Sequence, residues 1–133
     1  MKFMLMMHAP RGTGDYAIYK WKPEDMKAHI EFMIRLNKDL RGDGVLVGAE
    51  GLSPPGEARI VRAGKGTAPE VTDGPFAESK EFLVGYWIVD VESPEQAYAI
   101  AGRASAAPGP GGTPLNMAIE VRRVMDGPPP TDS

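Results

Sequence analysis

Apolar residues along this chain fall into two rhythms, and the rhythms alone lay out most of the elements. From Phe82 to Val91 the run FLVGYWIVDV is apolar on both alternating sides: Phe82, Val84, Tyr86 and Ile88 on one, Leu83, Gly85, Trp87, Val89 and Val91 on the other. Its β-branched and aromatic content is that of a strand, and a strand apolar on both sides is expected to be covered on both. Lys2 to His8 has the same two-sided pattern, with Met4 and Met6 set against Phe3, Leu5 and Met7. Val45–Leu52, Ala58–Ala63 and Met117–Val124 read as further strands, the second of them polar enough to be peripheral.

Between the strands the period lengthens. Pro23-Glu24-Asp25 opens a helix, with proline in its first turn and acids against the dipole. Met26, Ile30, Met33 and Leu40 then hold helical spacing, and Gly42 and Gly44 stop it. Ser93-Pro94-Glu95-Gln96 is a capping-box start for a second helix, anchored by Tyr98 and Ile100 among alanines. Glu70-Val71-Thr72 is a short hairpin arm leading to the turn Asp73-Gly74-Pro75-Phe76, whose Asp-Gly pair is a hairpin signal. Residues 10–22, with Gly12, Gly14, Tyr16, Tyr19 and Trp21, read as a loop, as does APGPGGTP from Ala107 to Pro114.

The resulting order is an α+β, ferredoxin-like split βαβ plan with an inserted β-hairpin. In it the first strand and the 82–91 strand are expected to be adjacent, central and parallel. Helices cover one face of the sheet, and a second copy of the chain is expected on the other. Residues 1–125 form one domain, and 126–133, with three consecutive prolines, are expected to be a disordered tail.

Composition changes this picture little. At 133 residues, 42% apolar and 25% charged, the chain fits one globular domain with a modest core. A formal charge of −3 gives no electrostatic reason to expect nucleic acid or an anionic membrane. There is no cysteine, which removes disulfides and thiolate chemistry and fits a cytoplasmic setting. The opening MKFMLMMHAP has too short an apolar run for a signal peptide, and no later stretch could span a bilayer.

The run Val71-Thr72-Asp73-Gly74-Pro75-Phe76-Ala77-Glu78-Ser79-Lys80-Glu81, followed by Gly85-Tyr86, resembles the DGPF branch of the YCII-related (YciI-like) family. The MKFMLM start, Gly44–Val47 through Glu50-Gly51-Leu52, and Pro110-Gly111-Gly112 extend the resemblance over nearly all but the tail. It implies ferredoxin-like subunits paired as a dimeric α/β barrel, with sheets face to face. It also implies a histidine–aspartate acid/base pair in some relatives, a dehydrochlorinase-like branch, and an association with extracytoplasmic-type sigma factors. Counting back from Gly44 places Met33, not His29, where those relatives carry a helical histidine.

Candidate chemistry rests on few residues. His8, at the end of the first strand, and His29, at the edge of the first helix's apolar stripe, are candidate acid/base groups, being the side chains that titrate near neutrality. A backbone-bonded or partly exposed histidine is the plainer role for each. Asp73 is a third catalytic candidate, with turn formation as its plainer role. Under parallel pairing, roughly 25 Å of strand separates it from His8, at about 3.3 Å per residue. Trp21, Phe76, Glu78 and Lys80 are candidate ligand contacts, although a solvated charged segment accounts for the last two. Trp87, Tyr86 and the eight methionines read as packing. No cofactor motif or metal-ligand spacing is present, the two histidines lying too far apart to form one. Three functions remain open: a small-molecule-binding homodimer with lyase or isomerase chemistry, a non-catalytic module bound to a sigma factor, and a plain homodimer.

Overall fold

The computed structural model describes residues 1–10, 20–76 and 80–129. Its strands are β1 (Lys2–Pro10), β2 (Leu46–Gly51), β3 (Arg59–Arg62), β4 (Glu70–Asp73), β5 (Glu81–Asp90) and β6 (Ile119–Arg123). Its helices are α1 (Pro23–Gly42) and α2 (Pro94–Ser105). Four strands form one sheet in the order β2-β5-β1-β6, and β3 and β4 pair separately. This is the α+β, ferredoxin-like arrangement expected, with the hairpin as an addition.

One expectation is overturned. β1 and β5 are adjacent and central, but they run antiparallel, with Lys2 opposite Asp90 and Pro10 opposite Glu81. Each crossover helix returns the chain in the direction of the strand it left, with one slot vacant between. The strand of the other crossover fills that slot running the opposite way, so all neighbours in the sheet are antiparallel.

The core lies between the sheet and the two helices. Phe3, Leu5, Met7 and Ala9 of β1 alternate into it, joined by Trp87 and Val89 of β5, Leu36 and Leu40 of α1, and Ala97, Ala101 and Ala104 of α2. These alanines form the buried face of α2, while Tyr98, expected as one of its anchors, is 57% exposed. On the opposite face Met4, Met6, Tyr86 and Ile88 are only partly buried. Glu50, Tyr86, Met6 and Glu120 form one row across that face. Two-sided burial, as read from the sequence, is therefore half met within one chain. A β-bulge between Met7 and His8 sets His8 opposite Leu83 and leaves Val84 as the extra, buried residue.

Local chemistry sets the element ends. After α1, Gly44 takes φ +74°, while its N–H bonds the Arg41 carbonyl and Val45 N–H the Leu40 carbonyl, each at 3.1 Å. That is a Schellman closure, which glycine adopts without strain. At α2, Ser93 Oγ accepts from Gln96 N–H at 3.3 Å. The Gln96 side chain returns to the N–H of Glu92 at 2.7 Å, one residue before the cap.

The Asp73-Gly74 turn does not join two paired strands, contrary to its hairpin signal. β5 already has β1 and β2 on its two edges, so β4 pairs with β3 instead, Val61 opposite Val71. Residues 130–133 of the expected tail lie outside the described residues.

Candidate functional site

Antiparallel pairing of the central strands brings the end of β1 to the beginning of β5. His8 and the Asp73–Phe76 turn therefore lie towards the same end of the sheet, and the strand-length separation expected between them does not exist. His8 shares a hollow of about 460 Å3 with Pro75 and Phe76, together with Leu52, Phe82 and Glu81. Ser53, Pro54 and Pro55, from the segment after β2, complete one wall. The strands hold the imidazole on a rigid sheet, and the turn and the proline segment build the cavity around it.

Met6 stands opposite Glu120 in the β1–β6 register, so His8, two residues on, is diagonal to Glu120 on the same face. Nε2 of His8 lies 3.2 Å from Oε1 of Glu120. An ionised carboxylate can only accept, so Nε2 carries the hydrogen and Nδ1 is the basic nitrogen of the neutral ring. A positioned imidazole whose far nitrogen is held by a carboxylate is an arrangement suited to general acid/base catalysis. Glu81 lies diagonal to His8 on the other neighbour, β5, across from Pro10. A second hollow, of about 340 Å3, is bounded by His8, Glu81, Glu120, Ala118 and Ile119.

The other candidates are placed elsewhere. His29 is buried in the helix layer, 8% exposed, with Nδ1 3.0 Å from the Pro108 carbonyl. The carbonyl only accepts, so Nδ1 donates, and α1 is thereby pinned to the loop after α2. Trp21 meets the His29 ring edge-on, centroids 5.4 Å apart. The sheet lies between this pair and His8, because Met7 and Ala9 on either side of His8 point into the helix layer. The Asp73 carboxylate is 97% exposed and 3.8 Å from Arg59 Nε, closing the open end of the hairpin. Lys80 is exposed and does not line the hollow. Phe76 does line it. Glu78 lies outside the described residues.

Glu120 was not singled out from the sequence. Its signal was present in the last strand, where Glu120 and Arg122 alternate with Ile119 and Val121, marking a polar side. Nothing local said which residue of another strand that side would meet.

Among the described residues, no three His, Cys, Asp or Glu side chains gather as a metal-binding group. No described helix is long and apolar enough to cross a membrane. A search among curated proteins finds no match to the chain. Residues 1–112 match the family model described as the YCII-related domain.

Proposed function

The chain belongs to the YCII-related family, and we propose that it is a homodimeric small-molecule-binding protein in which His8 and Glu120 carry acid/base chemistry of the lyase or isomerase kind. The observation that carries this reading is the 3.2 Å contact between His8 Nε2 and Glu120 Oε1 at the wall of a largely apolar hollow. Glu120 orients the ring, Nδ1 takes a proton from a carbon or hydroxyl of the ligand, and the imidazolium returns it at a second atom. The reaction needs no nucleophile under this scheme, consistent with a chain that has no cysteine and no G-x-S-x-G motif.

The run Asp73-Gly74-Pro75-Phe76 supports placing the protein in the DGPF branch, and two of its residues line the hollow. Met4, Met6, Tyr86 and Ile88, partly buried at the centre of the open face, support a partner sheet laid over them. The charged rim of Glu50, Glu120 and Arg122 around an apolar centre has the layout of an interface. The lack of cysteine supports a reducing, cytoplasmic setting.

The test is hydrogen–deuterium exchange and turnover across halogenated, lactone and enol compounds, with His8→Gln and Glu120→Gln alongside the wild type. Exchange that falls 100-fold or more in His8→Gln is expected, in the range typical of a general base. A wild-type protein that exchanges and converts none of them, with no compound moving its melting temperature, would end the enzyme reading.

A second reading is a non-catalytic module docking on a protein of the extracytoplasmic sigma-factor type. It is favoured by the β3–β4 hairpin, where Val61 and Val71 face each other across the strands while both remain more than half exposed. Purification from cells without any co-purifying protein would count against it.

A further inference from the structure

We propose that the hollow beside His8 takes an uncharged, largely apolar ring compound and turns away carboxylates and phosphates. This deepens the acid/base reading and rests on it for the role of His8.

The first support is the lining. Leu52, Pro75, Phe76, Phe82 and Leu83 present carbon to the hollow, and the polar side chains are His8, Ser53 and Glu81 alone among the described residues. Proline and phenyl faces are flat and rigid, and they bind a ring with little loss of side-chain freedom. A volume of about 460 Å3 is within the range of small-ligand pockets.

The second support is exposure. Phe76 is 65% exposed and Leu52 43%, and both converge on this one cavity. Apolar surface left in water at a concave site is surface that an apolar ligand covers favourably.

Charge supplies the third. The lining holds no lysine or arginine among the described residues, while Glu81 is on the wall and Glu120 is 3.2 Å from His8. Even a protonated His8 has its charge answered by Glu120. An anion would lose its hydration and find no lysine or arginine among the described lining residues in exchange. A neutral ligand avoids that penalty, and its polar group, a hydroxyl or carbonyl, can reach His8 or Ser53.

Two probes of one shape test this: 2-naphthol and 2-naphthoate, titrated at neutral pH into the full chain. Binding is read from the NMR signals of the Leu52 methyls and the His8 ring. Naphthol is expected to shift both saturably and to bind at least tenfold more tightly than naphthoate. Phe76→Ala, at an exposed position, is expected to weaken it several-fold without changing the fold. Naphthoate binding as tightly as naphthol would overturn the proposal, as would naphthol leaving these signals unmoved. Charge preference is read from binding alone. Failure of the acid/base reading would show separately, as absent deuterium exchange in a protein that still selects naphthol.

Discussion

The indole N–H of Trp87 donates to Oδ1 of Asn37 at 2.7 Å, joining the middle of β5 to α1. The tryptophan is almost fully buried, so its single donor has little water to turn to. Asn37→Ala is expected to cost about 1–3 kcal/mol, the penalty for orphaning a buried donor. Urea unfolding followed by tryptophan fluorescence checks it; a midpoint equal to wild type would show that the bond contributes nothing.

Gly85 of β5 pairs with Gly51 of β2. A Cβ built there would stand 2.9 Å from the Glu50 carbonyl oxygen, an atom of the neighbouring backbone that cannot swing aside. Gly85→Ala is therefore expected to destabilise by about 1–3 kcal/mol as β2 is pushed outwards. Its cross-strand partner makes the control, because a Cβ at Gly51 meets nothing within 4 Å. Gly51→Ala is expected to stay within about 0.5 kcal/mol of wild type. Equal effects from the two would rule out the steric cause.

Removal of the α2 cap has a defined cost. Ser93→Ala deletes the oxygen that accepts from Gln96 N–H and is expected to lose about 0.5–2 kcal/mol. Ser93→Asn is expected to recover most of it, which separates capping from a general effect of substitution. Thermal melts followed by circular dichroism give the comparison.

The open face provides a test of assembly. Met6 and Tyr86 face each other at its centre, while the alternate residues Leu5 and Trp87 fill the core behind. Met6→Lys is expected to split the proposed homodimer and leave the circular-dichroism spectrum unchanged. Light scattering after gel filtration reads the outcome, and a wild-type protein that is monomeric at micromolar concentration would refute the pairing of sheets.

His8 and Glu120 form a half-exposed pair, and such pairs contribute little to stability. Glu120→Gln is expected to leave the melting temperature within about 2 °C of wild type, while deuterium exchange of a bound ligand falls about tenfold or more. Unchanged exchange would remove Glu120 from the site.

The chain's own pattern was enough for every element of the main sheet and both helices. Two-sided apolar alternation marked β1 and β5 as the central pair, Pro23 with two acids started α1, and Ser93 with Gln96 started α2. These signals are local: a side-chain period of two or of 3.6, a cap, a glycine at positive φ. The same locality hid the direction in which β1 and β5 pair, since alternation reads identically for a strand run either way.

The site turned on that direction. With β1 and β5 antiparallel, His8 comes to the turn at Pro75 and Phe76, and the bulge after Met7 sets it opposite Leu83. Its carboxylate partner is Glu120, 112 residues further along the chain. The sequence by itself determined which segments are strands and helices, because each follows from neighbours within a few residues. Only the tertiary structure decided that His8 has a carboxylate beside it and a hollow in front of it, because both depend on which strands the crossovers make neighbours.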